Sequence, residues 1–256
     1  MPVDYVSVED AIALDGLRVV VVGGIPSPWG EAAKGILHVK GIEWAAVRLV
    51  YDSDELKRWA GQRSGPVAIY NGEPPRSGWS EILALAERLA PKPALVPDDA
   101  GQRIAVFGIA QELCGEGGLG WSRRLDLIDA RFAGRGGFAE PVAKYLARKY
   151  GYRPGVGDDA RRRVRSALSM LSARLKSQRA AGSDYIVGDG LTAADIYCAT
   201  FAGMFQPLAE EVCAMDKHMR TAFDTLDDDT RAVLDPILFE HLDMMYEQHL
   251  ELPLSL

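Results

Sequence analysis

Residues 185–197 read YIVGDGLTAADIY. Within this run Thr192 stands where a side-chain oxygen caps a helix, and Asp195, three residues on, is placed to reach back to the backbone of the cap. Leu191 and Ile196 occupy the positions of a hydrophobic staple. A capping box by itself is common and structural, whereas the full thirteen-residue string is much more specific. The role it predicts belongs to folding rather than to chemistry.

Upstream of this run the chain reads as helices over 100–114, 122–132, 138–150 and 159–181. In the last of these, Val164, Leu168, Leu171 and Leu175 recur at helical spacing and form one buried stripe. The basic run of Arg161, Arg162, Arg163 and Arg165 falls mainly outside the stripe and is expected on a solvated face. Further upstream, 89–99 holds APKPALVPDD, after which no convincing strand occurs, so a domain boundary is expected there. Ahead of that boundary the pattern alternates strand and helix: strands over 18–24, 43–49 and 66–70, and helices from Pro28 to near Gly41, over 54–60 and over 79–89. Residues 7–14 carry Ser-x-x-Asp capping spacing and predict a short helix before the first strand. The resulting division is an N-terminal extension over 1–16, an α/β domain over 17–92, a linker over 93–98 and an all-helical domain over 99–256.

Length and composition agree with two modest globular domains. The 256 residues are 48% apolar and 25% charged, with no low-complexity tract or internal repeat. A net charge of -7 argues against nucleic acid or an anionic membrane as the main partner. Cys114, Cys198 and Cys213 form no CxxC pair, and His38, His218, His241 and His249 show no metal-ligand spacing, so neither a disulfide framework nor a metal site is indicated. No basic flank precedes an apolar core at the start of the sequence and the apolar runs are short, which makes the cytosol the expected location.

The string at 185–197 closely resembles the motif that precedes the buried core helix of the C-terminal domain in glutathione S-transferases. A second likeness lies at 27–42, SPWGEAAKGILHVKGI, which is similar to that family's passage from active-site loop through the first helix to the second strand. A third is Ser64-Gly65-Pro66-Val67, at the place where the thioredoxin-like fold carries a cis-proline. The resemblance implies an α/β plus all-α architecture, a thioredoxin-like domain followed by a helical one. It implies glutathione as co-substrate, a homodimer, no metal, and a small electrophile, possible aromatic rings included, held between the domains.

What the resemblance implies can be set out residue by residue. Ser27 takes the place of the family's active-site hydroxyl or thiol, where it either supports a glutathione thiolate or merely starts a helix. At a helix N-terminus, dipole and hydroxyl together bring a thiol down from roughly 8.5 toward neutrality. Gly65, Pro66 and Val67 would meet the cysteinyl part of glutathione through their backbone. Trp29, Trp121 and Arg124 fall on the electrophile's side, with Arg123 an alternative to Arg124. Packing or dimer contacts explain Trp121 and the arginines equally well.

Departures from the family gather on the γ-glutamyl side. Active members place an acidic residue and a serine just before the third helix. Here the stretch is Arg76-Ser77-Gly78-Trp79-Ser80-Glu81-Ile82, and counting from Ile82 or from Pro66 lands on Gly78 or Trp79 without finding a hydroxyl. Arg76, Ser77, Trp79 and Ser80 are the candidates left for a modified grip on the carboxylate. Glu73-Pro74-Pro75 stands where a further strand usually runs, and proline cannot donate to a ladder, so that strand must be very short, at an edge or absent. Two readings stand: a glutathione-dependent transferase, or a protein of this fold that has lost catalysis and serves as a binding or structural protein. A thiol-disulfide oxidoreductase is disfavoured because the loop has no cysteine.

Overall fold

The computed structural model describes residues 4–256. Its N-terminal half is built on β2 (Leu17–Val21), a strand apolar apart from Arg18 and buried along its whole length. On one side β2 pairs in parallel with β3 (Trp44–Arg48), and on the other it pairs antiparallel with β4 (Val67–Tyr70). A two-residue strand β1 (Tyr5–Val6) adds in parallel to the outer edge of β3, giving the order β1-β3-β2-β4. Two residues are too few to leave a period in the sequence, and β1 was not among the expected strands. Beyond β4 the Pro74-Pro75 step has the predicted effect. The further strand shrinks to a single bridge, with Ala68 and Arg76 exchanging backbone hydrogen bonds of 2.8 and 2.9 Å.

Helices cover both faces of this sheet. On one face α1 (Val8–Ala13), whose first turn is capped by Ser7 Oγ accepting from Asp10 N, and α3 (Asp54–Ala60) bury Ala11, Leu56 and Ala60 against Val20, Val47 and Ile69. Residues 5–13, expected to be part of an N-terminal extension, therefore take part in the sheet and its core. On the other face α2 (Pro28–Val39) and α4 (Trp79–Leu89) join a larger apolar core that continues without a break into the C-terminal half.

That half is all helical: α5 (Ala100–Cys114), α6 (Leu119–Phe132), α7 (Glu140–Lys149), α8 (Val156–Ala180), α9 (Ala193–Ala202), α10 (Lys217–Phe223), α11 (Asp228–Ala232) and α12 (Pro236–Gln248). Every residue of α9 is buried, and the α8 stripe of Val164, Leu168, Leu171 and Leu175 faces the core. The expectation of a simply solvated basic run needs correction. Arg161 is drawn inward by two α6 carboxylates, Asp126 at 3.4 Å and Asp129 at 3.1 Å, and Arg165 reaches Asp227 at 3.5 Å. Arg162, paired with Asp159, does lie on the surface.

The two halves are tied at the start of α9. Asp195 is fully buried, and its carboxylate accepts from Ile186 N at 2.7 Å, Thr192 N at 2.9 Å and Thr192 Oγ at 2.8 Å. Thr192 thus spends its hydroxyl on Asp195 rather than on the helix amides. The first free amide of α9, Ala193 N, donates instead to Leu95 O at 2.9 Å, inside the segment expected to be a linker. Leu95 N donates to Glu87 of α4. The ammonium of Lys40, at the end of α2, is buried against Glu87 and the carbonyls of Ala90 and Pro93, each at 2.7–2.8 Å. The connecting segment is stitched to α2, α4 and α9.

His241 of α12 completes this buried cluster, its Nε2 lying 3.6 Å from Asp195. Burial raises the Asp195 carboxyl from 3.8 to about 6 and lowers the His241 imidazole from 6.5 to about 4. Below pH 6 the folded chain holds the Asp195 proton better than the unfolded chain does, so this group favours folding increasingly as pH falls toward 4. Over the same window the unfolded chain takes up the His241 proton first, so that group opposes folding as pH falls. Each is worth about 3 kcal/mol at most, and the two nearly cancel. Urea denaturation of His241→Leu should therefore show stability rising from pH 7 to pH 5, and Asp195→Asn should show it falling. Flat profiles in both variants would contradict this coupling.

Candidate active site

Strand β2 ends at Val21, and the chain turns through Ile25, whose carbonyl accepts from Ser27 N at 2.9 Å, before entering α2. Pro28 occupies the first turn of α2, where its missing N–H costs nothing and its fixed φ suits the helix. Ser27 is the N-cap residue, in extended conformation, yet its hydroxyl makes no capping bond. That leaves a free O–H at the positive end of a twelve-residue helix, at the carboxyl ends of the parallel strands, the usual place for ligands in such sheets.

Ser27 lines a cavity of about 700 Å³ between the two halves. Of the residues singled out in the sequence, Gly65, Pro66, Ser77, Trp29, Trp121 and Arg124 share its wall. The Gly65–Pro66 bond is cis. The remaining four do not reach the wall. The Val67 side chain is fully buried in the core beneath α1 and α3, which leaves only its backbone for a ligand. Arg76 is paired with Glu73 at 2.6 Å, a carboxylate that Arg88 also binds at 2.6 Å; Arg88 and Arg76 together hold Glu73 below the usual carboxylate range. Trp79 packs edge-on against Tyr197 with centroids 5.7 Å apart, near Phe107, and its carbonyl accepts from the Tyr197 hydroxyl, so it serves the interface between the halves. Ser80 lies in the first turn of α4, away from the cavity.

The start of α4 is where the departure from the expected pattern has a structural outcome. Gly78 is the N-cap and contributes no side chain. Glu81 folds back so that its Oε2 accepts from Gly78 N at 2.8 Å and Ser77 N at 3.2 Å. A β-carbon at position 78 would sit 3.0 Å from that oxygen, so glycine permits the close approach. The helix end that would greet an external carboxylate already holds an internal one.

Trp29 and Arg123 turn out differently from a ligand-facing reading. The Trp29 indole donates to Cys114 O at 2.8 Å and meets Phe201 edge-on at 5.0 Å. It lies over Gly120, where any β-carbon would come within 2.7 Å of the indole and also strike the Phe201 ring. Trp29 thereby rivets α2 to α6 and α9 while one edge meets the cavity. Arg123 is fully enclosed and spent on Asp126 at 2.7 Å, Phe223 O at 2.9 Å and Thr225 O at 2.8 Å, which rules it out as the alternative anion holder. Burial pushes the Cys114 thiol, also on the wall, well above its ordinary range and leaves it unreactive. Tyr51, Tyr145, Lys149 and Tyr150 also line the cavity and were missed in the sequence. The signal was there in part: Tyr145 and Lys149 stand four apart on α7 and so share one face.

Among the described residues there is no cluster of metal-ligating side chains. The family model for the glutathione S-transferase C-terminal domain matches residues 129–243. Comparison with curated proteins finds no match. Among solved structures, a glutathione S-transferase of Methylobacterium radiotolerans in complex with glutathione sulfonate is similar over 91% of this chain and 91% of its own, with TM-score 0.61 and 21% identity. One from Methylobacillus flagellatus with glutathione bound covers 91% of this chain and 96% of its own, at TM-score 0.62 and 16% identity. The beta-etherase LigF of a Sphingobium species covers 91% and 99%, at TM-score 0.60 and 16% identity. The helical half thus carries a match to the glutathione S-transferase C-terminal domain over 129–243, and the chain as a whole, a thioredoxin-like sheet joined to that helical domain, shares the fold of these solved structures.

Proposed function

We propose that this chain is a glutathione-dependent transferase that activates the glutathione thiol for attack on a small electrophile held in the cavity between its halves. The observation that carries this reading is Ser27, a hydroxyl free of capping duty at the N-terminus of α2 and on the wall of that cavity. A volume of about 700 Å³ is within the usual range for a small-molecule site. Glutathione supplies the nucleophilic sulfur. Ser27 Oγ–H donates a hydrogen bond to it, and the α2 dipole favours its ionised form. The backbone at Gly65, Pro66 and Val67 is assigned to the cysteinyl segment, and Ser77, with Arg76 nearby, is assigned to the γ-glutamyl end. Trp79 and Ser80, first offered for that grip, retain at most a supporting role. Trp121 and Arg124 are assigned to the electrophile.

A second reading, a binding or structural protein on the same fold without catalysis, is favoured by one observation: Glu81 occupies the amides of Ser77 and Gly78 just ahead of α4. The two readings share the fold and differ in turnover. The proposed setting is cytosolic, and among the described residues no helix is long and apolar enough to cross a membrane. The proposed assembly is a homodimer, with Ile104 and Phe107, both exposed on α5, among the surfaces available to it; a monomer by light scattering would contradict that.

Calorimetry with millimolar glutathione should give measurable heat and a raised melting temperature, and the absence of both would overturn the transferase reading. Ser27→Ala should keep the fold, lose the thiolate absorbance of the complex, and reduce kcat/KM by roughly ten- to a hundred-fold, the worth of a hydrogen bond to a charged group. Glu81→Gln removes a negative charge from the α4 N-terminus and should tighten glutathione binding by about two- to five-fold, read as Kd.

A further inference from the structure

Arg124 has an unusual situation on the cavity wall. It is 6% exposed, yet its Nη1 has no hydrogen-bond partner among the described residues. Its guanidinium stacks near Phe138 and Phe223, with 5.5 Å to each ring centroid, contacts that set its position without neutralising its charge. The groups that support its charge are phenols, Tyr150 first and Tyr51 after it, and no carboxylate contributes. A buried cation left without a counter-ion is costly, and a carboxylate from outside, accepting from the guanidinium fork, relieves that cost.

The surroundings repeat the same preference. Lys149, a second cation on the wall, donates to Ser64 Oγ at 2.7 Å and lies over the Tyr150 ring. The carboxylates that line the cavity, Glu116 and Asp216, are both exposed, and Asp216 is spent on the amides of His218 and Met219 at the start of α10. The same wall carries aromatic rings in edge-to-face pairs: Trp121 with Tyr150 at 4.6 Å, and Tyr51 with Tyr145 at 5.1 Å. Such rings present edges and faces to a flat guest.

We propose that Arg124 is the receptor for the carboxylate of a planar aromatic acid, with Lys149 as the second cation and Trp121, Tyr145 and Tyr150 around the ring. The acid's role as electrophile rests on the transferase reading, whereas its binding does not. Selectivity for a charged acid over a neutral aromatic of the same shape then resides in one buried guanidinium.

The test is calorimetric titration of the full chain, without glutathione, with cinnamate and with methyl cinnamate. Cinnamate should bind at least about ten-fold more tightly than its ester, the discrimination expected of one charge-assisted pair. Arg124→Met should abolish the difference and Lys149→Met should narrow it. Equal affinity for acid and ester, no binding of the acid, or an undiminished preference in Arg124→Met would overturn the proposal. If Arg124→Met melts early, the acid–ester comparison in the native chain and the Lys149→Met result decide the matter. Cinnamate binding without glutathione binding would uphold this subsite and defeat the transferase reading; glutathione binding without a preference for the acid would do the reverse.

Discussion

The architecture depends on one buried carboxylate. Asp195 gathers three donors, from Ile186 and Thr192, and so fixes the chain at the point where a wholly buried helix enters the core. The neighbouring amide of Ala193 reaches across to Leu95, and from there Glu87 and Lys40 carry the connection into α2 and α4. A buried ionised group is expensive unless every lone pair finds a partner. Here the partners are local, Ile186 and Thr192, and they hold the start of α9 in place, while the long-range links through Leu95, Glu87 and Lys40 orient the halves. Trp29 stacked over Gly120 and against Phe201 sets the spacing between α2 and the helical domain. The cavity is the gap left where this close packing stops.

The chemistry on that gap is divided between its two sides. The α/β half offers a helix N-terminus with a free hydroxyl, suited to a forming anion on sulfur. The helical half offers aromatic edges and two cations, suited to a flat anionic guest. Between them the start of α4 has exchanged a side-chain hydroxyl for glycine and an internal glutamate. That exchange weakens the attraction for an external carboxylate at one end of the cavity while Arg124 strengthens it at the other.

Much of this was legible in the sequence where local rules decide. The Thr192–Asp195 cap, the α8 stripe, the placement of Ser27 ahead of Pro28 at the start of a helix and the loss of a strand at Pro74-Pro75 all follow from spacing and from residues with few backbone options. The illegible parts depend on contacts between distant segments. Arg123 and Arg124 are neighbours in the chain, yet one is consumed by Asp126 and two carbonyls while the other faces the cavity, and no local pattern separates them. Arg161 looked solvated because its α6 partners lie more than thirty positions away. The role of Glu81 is not legible because an acid at the third position of a helix is common in any capping box, and only the fold shows its carboxylate on the amides of Ser77 and Gly78. Strand β1 is too short to announce itself.

The central claim is that Ser27 and the N-terminus of α2 receive the glutathione sulfur. A crystal structure of the chain with glutathione bound tests it most directly. The account predicts the sulfur within hydrogen-bond distance of Ser27 Oγ, about 3.0–3.5 Å allowing for the larger radius of sulfur. Glutathione bound with its sulfur out of reach of Ser27, or no glutathione in the cavity at saturating concentration, would contradict it.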